Sequence, residues 1–217
     1  MSQEKLKVAI IGLGSIGRAA ATNLVKGNRT VIVADRTLDK AEGLAKDLSA
    51  LAQPREISVA IKEADIVILA IWFDQIKELL QTYKSDLRGK IIVDPSNPFV
   101  PDGKGGFKKT IGEKESGGEQ ISALLPDGAS LAKAFGTLSA GSLANAAFRD
   151  PLRVVLFYAS DTDRINAPIE ELIRDSGFEP VRVGAIDQSI RIEMYGDLHE
   201  YGGLGKTVTL SDLKAKV

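Results

Sequence analysis

The chain is predicted to be an α/β protein built on a Rossmann-type, doubly wound and mostly parallel sheet in a single domain. Three observations carry this expectation. Short apolar runs alternate with segments of helical periodicity along most of the 217 residues. The first apolar run, Val8-Ala9-Ile10-Ile11, leads directly into Gly12-Leu13-Gly14-Ser15-Ile16-Gly17. Asp35 then closes the second run, Thr30-Val31-Ile32-Val33-Ala34, where a dinucleotide-binding unit places an acidic residue for the ribose.

The glycine run has a mechanism at each position. Gly12 allows the tight turn from strand to helix, Gly14 lets backbone approach a pyrophosphate, and Gly17 lets the helix pack closely on the strand. Arg18 to Leu24 reads as the helix that follows, and its free N–H groups and dipole favour phosphate at its start.

Further elements follow in order. Leu38, Ala41, Ala45 and Leu48 mark a helix over 38–51 that Pro54 terminates. Glu56 to Val59 is expected as a short strand and Ala60 to Glu63 as a turn of helix. Asp65 to Ile71 is continuously apolar after its first residue, as in a strand covered on both faces. Phe73, Ile76, Leu79, Leu80 and Tyr83 form the stripe of a surface helix, and Lys90 to Asp94 is the next strand.

The stretch 95–119 interrupts the rhythm with three prolines and six glycines. A loop of this length is either functional or disordered. It leaves the carboxyl end of a strand, where ligands sit in open α/β sheets, which favours a lid over the active site. Beyond it the pattern predicts a short helix at 121–125, a strand at 130–135 and a small-residue helix at 140–148. A buried strand at 153–159, a helix around Ile165 to Ile173 with Pro168 near its start, and a strand at 178–183 come next. Ile186 to His199 is expected to be helical, so that 186–217 forms a C-terminal helix and tail. With no repeat and no linker, the whole of 1–217 is expected to be one NAD(P)-binding domain.

Composition narrows the function classes. A net charge of −1 and a pI near 6.0 leave no basic footprint for nucleic acid. The absence of cysteine excludes disulfides and thiolate chemistry. No apolar run reaches the roughly 18 residues of a membrane span. Met1 to Lys5 enters the first strand at once, leaving no signal peptide, so a cytoplasmic protein is expected.

The cofactor's 2′ position is contested within the sequence. Asp35 pairs well with a free ribose hydroxyl and repels a phosphate, favouring NAD. Arg36 offers a 2′-phosphate a bidentate partner and Thr37 adds a hydroxyl, favouring NADP, unless Arg36 stacks on the adenine or points into solvent. Trp72, just past the third buried run, is a candidate nicotinamide wall or a core residue. Asp94 caps the turn at Pro95, His199 near a helix end reads as structural, and Glu193 and Tyr195 are candidates to line the cleft. Lys104, Lys108 and Lys109 give the long loop positive charge.

The order of motifs resembles the NADP oxidoreductase family that uses a 5-deazaflavin coenzyme. The stretches that carry the likeness are Ile11 to Gly17, Ala64 to Trp72, Asp94-Pro95-Ser96-Asn97-Pro98 and Lys133-Ala134-Phe135-Gly136-Thr137-Leu138. Val155 to Ala159, Ser176-Gly177-Phe178 and Gly202-Gly203-Leu204-Gly205 also fit, so the resemblance spans nearly the whole chain. It implies a cofactor site of Gly12, Leu13, Gly14, Ser15, Ile16, Gly17, Asp35, Arg36 and Thr37, with Ala70, Ile71, Trp72, Asn97 and Pro98 around the nicotinamide. It places Gly136, Thr137 and Leu138 on the second-substrate cleft and favours NADP, without excluding NAD. The implied activity is hydride transfer between nicotinamide and a deazaflavin or flavin-like acceptor, which needs orientation and exclusion of water rather than a catalytic side chain or a metal. The chain departs from the family pattern at three places: Gly136 replaces a histidine, Leu13 a threonine, and Asp35 a serine. Reduction of a small carbonyl or imine, and a non-catalytic dinucleotide-binding redox sensor, are the competing readings. A homodimer is compatible with the apolar C-terminal segment.

Overall fold

A computed structural model describes residues 5–214. The strands are β1 (Val8–Ile11), β2 (Val31–Ala34), β3 (Ala52–Pro54), β4 (Ile66–Leu69), β5 (Ile91–Asp94), β6 (Phe99–Pro101), β7 (Phe107–Lys109), β8 (Ser130–Lys133), β9 (Val155–Ser160) and β10 (Glu179–Gly184). The helices are α1 (Ser15–Lys26), α2 (Leu38–Leu48), α3 (Ile57–Glu63), α4 (Phe73–Thr82), α5 (Gly117–Ser122), α6 (Ala140–Asn145), α7 (Asn166–Asp175) and α8 (Leu210–Lys214). Eight strands form one sheet in the order β10-β9-β8-β5-β4-β1-β2-β3, and β6 pairs with β7 as a separate hairpin. Every neighbouring pair in the large sheet is parallel except β8 with β9. The sheet is therefore the mostly parallel Rossmann-like sheet that the sequence predicts.

Strand parity builds the two faces. Val8, Ile10, Val31, Val33, Ile66 and Ile68 point to one side, where residues of α1, α2, α6 and α7 cover them. Ala9, Ile11, Ile32, Val67, Leu69 and Ile92 point to the other side, against α3, α4 and α5. Both faces of β1 and β4 are thus sealed, which is why those strands read as unbroken apolar runs. A third cluster forms beyond the parallel part, where Val155, Phe157 and Ala159 meet Ile192 and Val208.

Three segments differ from expectation. The strand predicted at 56–59 lies earlier, at β3, and 57–63 is helical instead. Val31, Ile32 and Val33 pair with Ala52, Gln53 and Pro54 at the sheet edge, and Pro54 is tolerated there because an edge strand has a free side. The stretch 95–119 contains the β6–β7 hairpin, and α5 begins at Gly117 rather than near Ile121. The third difference is the largest. The helix expected over 186–199 is a 3-10 segment at Ile186–Arg191 followed by irregular turns. Glycines permit this compact path: a Cβ on Gly202 would lie 1.9 Å from the Gly196 carbonyl oxygen, and one on Gly203 2.6 Å from that of Asp197. His199 consequently has no helix terminus to serve.

Candidate functional site

The glycine turn joins β1 to α1 at the carboxyl edge of the sheet. Gly12 has φ +93° and its N–H donates to the Ala34 carbonyl at 2.9 Å. A Cβ there would lie 2.5 Å from the Ala70 oxygen, and a Cβ on Gly17 would lie 1.9 Å from the Gly12 oxygen. These two glycines are therefore required by internal packing. Gly14 is different, because a Cβ on it would meet nothing within 4 Å. Gly14 and Ser15 are exposed and Ile16 is half-buried, and no hydrogen bond to the N–H of any of the three exists among the described residues. Three backbone donors and a helix N-terminus therefore face open space, the arrangement that receives a phosphate.

Leu13 does not face that space. Its side chain is buried in the core, and its N–H donates to Asp35 Oδ2 at 2.7 Å. Asp35 Oδ1 accepts from the Arg36 N–H at 2.8 Å, and Lys40 Nζ lies 2.7 Å from Oδ2. Burial raises the Asp35 pKa, but the hydrogen bonds from Lys40, Leu13 and Arg36 outweigh it and hold the carboxyl below its ordinary value. Asp35 thus ties the glycine turn to the end of β2 while an ammonium balances its charge. Sequence reasoning overlooked Lys40, although its place in the first turn of α2, five residues after Asp35, was a usable signal. Arg36 and Thr37 are exposed beside it.

At the carboxyl end of β4, Ala70 and Ile71 are half-buried against Gly12. Trp72, just before α4, is 59% exposed, so it is not a core residue.

The neighbouring strand ends carry a polar framework. Lys133 and Asp94 face each other in register on β8 and β5 and form a buried ion pair at 2.7 Å. Asp94 Oδ1 accepts from the Ser96 N–H at 2.7 Å, which is the expected cap on the turn at Pro95. Above this pair stands Asn97. Its Oδ1 accepts from the Met194 N–H at 2.7 Å, and its Nδ2 donates to the Gly136 carbonyl at 3.1 Å. A Cβ on Gly136 would lie 2.3 Å from the Pro95 oxygen, so this backbone has no room for a side chain there. Thr137 and Leu138 are buried beside it, and the Thr137 hydroxyl has no hydrogen-bond partner among the described residues.

The C-terminal turns close the same region. Glu193 is buried and its carboxylate accepts from the Gly117 and Gly118 N–H groups at 3.1 and 3.0 Å and from the Ser116 hydroxyl at 3.3 Å. Ser189 completes this cluster through the Ser116 hydroxyl. Glu193 is thus fully occupied in anchoring the start of α5, while Pro98 is buried against Gly117. Tyr195 is 51% exposed, has φ +67° and packs edge-on against Phe99 with ring centroids 5.4 Å apart. In the hairpin, Lys109 Nζ is bound by the Glu113 and Glu115 carbonyls at 2.8 Å, so this lysine works within the loop. Among the described residues there is no group of three or more His, Cys, Asp or Glu arranged to hold a metal ion, and no helix is long and apolar enough to cross a membrane.

The sheet order and the open glycine turn place the protein in the Rossmann class of dinucleotide-binding folds. Residues 7–98 match the family described as "NADP oxidoreductase coenzyme F420-dependent". It is 29% identical over 191 residues to the metalloreductase STEAP3 of Rattus norvegicus, an alignment covering 88% of this chain and 36% of that protein. It is 31% identical over 105 residues to an F420-dependent NADP reductase of Methanocaldococcus jannaschii, covering 44% of this chain and 47% of that one. The alignments therefore take in less than half the length of either curated relative. A solved structure of hypothetical protein SMa0349 from Sinorhizobium meliloti superposes with a TM-score of 0.82 at 30% identity, covering 94% of this chain and 95% of that one.

Proposed function

We propose that the protein transfers hydride between NADP and the ring of a deazaflavin or flavin-like acceptor. The observation that carries this reading is the juxtaposition of two half-sites on one sheet edge. The glycine turn presents three N–H groups that are unpaired among the described residues, and the space above Gly14. Two and three strands away, the framework of Asn97, Pro98 and the Gly136-Thr137-Leu138 turn stands at the ends of β5 and β8. The family's chemistry supplies the class of acceptor.

Each residue then has a task. The N–H groups of Gly14, Ser15 and Ile16 receive the pyrophosphate, while Gly12 and Gly17 keep backbone and helix close enough to do so. Arg36, Thr37 and Lys40 form the 2′-phosphate end. The Lys40 ammonium offsets the Asp35 carboxylate that would otherwise repel the phosphate. Ala70, Ile71 and Trp72 flank the nicotinamide, which supplies the hydride when bound. Asn97, Pro98, Thr137 and Leu138 wall the acceptor cleft, and the stretch 95–119 covers it. Direct hydride transfer asks the protein to hold two rings face to face and to exclude water.

The test has two parts. Fluorescence titration is expected to give a lower Kd for NADPH than for NADH, and Lys40→Ala is expected to narrow that difference about tenfold by removing one charged contact. Oxidation of NADPH is expected with a deazaflavin such as F420, or with FMN or FAD. Tight NADPH binding with no turnover on any of these acceptors overturns the oxidoreductase reading in favour of a redox sensor. Turnover only on small carbonyls or imines overturns the choice of acceptor.

A further inference from the structure

The chain has a single histidine, and it is buried in the irregular C-terminal segment. Both ring nitrogens of His199 are engaged. Nδ1 accepts from the Tyr201 N–H at 3.0 Å, so it carries no proton. Nε2 lies 3.2 Å from the Gly136 carbonyl oxygen, which can only accept, so Nε2 bears the hydrogen. The imidazole is thus neutral and held in one tautomer.

The oxygen it reaches is a focal point. Gly136 O also accepts from Asn97 Nδ2 at 3.1 Å, so both of its lone pairs are used by side chains from distant segments. The turn they hold is not a relaxed one. Phe135 sits at φ +65°, a conformation unfavourable for a bulky side chain, and Gly136 is pressed against the Pro95 carbonyl. Such a backbone persists only where its surroundings enforce it.

We propose that His199 is a positioning residue for the acceptor site, its Nε2–H holding the Gly136-Thr137-Leu138 turn at the distance from Asn97 that the acceptor ring requires. The proposal rests on the reading of this cleft as the acceptor's. In that reading the residues that hold the cofactor's phosphates, Gly14 to Ile16 and Arg36 to Lys40, make no contact with His199 or Gly136, so the effect of His199 falls on the acceptor.

Two substitutions separate the two bonds. In His199→Asn the amide oxygen occupies the place of Nδ1 and keeps the local bond to Tyr201, but the shorter side chain does not reach Gly136. In His199→Gln the amide nitrogen reaches the place of Nε2 and keeps the tie to Gly136. The measurements are the KM for F420 or FMN, the Kd for NADPH, and amide hydrogen exchange over residues 134–139 in the full-length protein. His199→Asn is expected to raise acceptor KM about tenfold, consistent with loss of one buried hydrogen bond, with NADPH Kd unchanged within about twofold and exchange at 134–139 accelerated. His199→Gln is expected to restore both KM and protection. Equal behaviour of the two variants overturns the proposal, as does a parallel rise in NADPH Kd or unchanged exchange in His199→Asn. Wild-type protein that oxidises NADPH with neither acceptor overturns the reading of the cleft instead, and the exchange data then decide separately whether the His199 tie to Gly136 exists.

Discussion

The two halves of the candidate site are built by different means. The glycine-turn half is made almost entirely of backbone and of residues close together in the chain: Gly12, Gly14 and Gly17 in one turn, with Asp35 and Lys40 at the next strand end. The Asn97 half is made of side chains recruited across long separations. Asn97 reaches Met194 and Gly136, His199 reaches Gly136, and Glu193 reaches Gly117 and Gly118. A phosphate is the same in every dinucleotide, so backbone donors suffice for it. A second substrate differs from protein to protein, and adjustable side-chain clamps on a fixed sheet edge are the cheaper place for that variation.

This contrast is open to attack from either side, and the cofactor half gives the largest expected effect. Gly17→Val drives a branched side chain into the Gly12 carbonyl, where even a Cβ would lie 1.9 Å away. The helix must then lift off β1, and NADPH affinity is expected to fall at least a hundredfold, read by titration. Gly14→Ala is the control: its Cβ meets nothing within the protein. It is therefore expected to leave the melting temperature unchanged while weakening NADPH alone. An equal loss of stability in both variants breaks the distinction between the packing glycines and the open one.

Beneath the acceptor half, Asp94→Asn comes next. It leaves the Lys133 ammonium buried without its partner, which is expected to lower stability by about 3–5 kcal/mol in urea unfolding. Replacing both residues by apolar ones of similar size, Asp94→Leu with Lys133→Met, is expected to recover part of this loss, because the unpaired charge then disappears. No recovery would mean that the cap on the Ser96 N–H, which Asn keeps and Leu lacks, outweighs the charge left unpaired by Asp94→Asn.

The same difference explains what the sequence disclosed. The doubly wound sheet, the glycine turn and Asp35 were legible because each depends on local spacing and on strand parity. Even there the chemistry was finer than the motif: Leu13 turns its side chain into the core, and Asp35 is bound by Leu13, Arg36 and Lys40. The acceptor half was legible only as a list of stretches. Ile186 to His199 reads as a helix, but Ser189 and Glu193 turn inward to bind the start of α5, and Gly196 and Gly202 pack at backbone contact. Polar residues with buried partners far along the chain leave no periodicity to detect. Gly136, set against a histidine in the family pattern, was visible as a departure, yet its close contact with Pro95 was not.

Glu193→Gln tests whether the cover over the acceptor half is anchored where the contacts place it. The amide nitrogen would oppose one of the two backbone N–H donors, with an expected loss of about 2 kcal/mol from a hydrogen bond to a charged group. Amide exchange is expected to accelerate at 116–122 and to stay unchanged at 12–18. Acceleration in both would mean that the two halves unfold as one unit and that their division is only topological.

The smallest effect separates the halves by pH alone. Burial pushes the His199 pKa below its ordinary value of about 6.5, against the opposing pull of the Gly136 carbonyl and the Glu200 carboxylate. The unfolded chain therefore takes up a proton before the folded one does. Stability from this site is fully present above about pH 6.5, declines as pH falls below it, and levels off beneath the folded-state pKa. Asp35, held below its ordinary value, loses its contribution only at far more acidic pH. Between pH 7.5 and 5 the urea midpoint of the wild-type protein is thus expected to fall modestly more than that of His199→Gln, which has no imidazole to titrate. Protonation puts a hydrogen on Nδ1, which then opposes the Tyr201 N–H while Nε2 still donates to the Gly136 carbonyl. Exchange measured relative to the intrinsic rate at each pH is therefore expected to quicken at 201 while 12–18 holds steady. A matching acceleration at the glycine turn would place the proton-sensitive group in the cofactor half and reverse the assignment of His199.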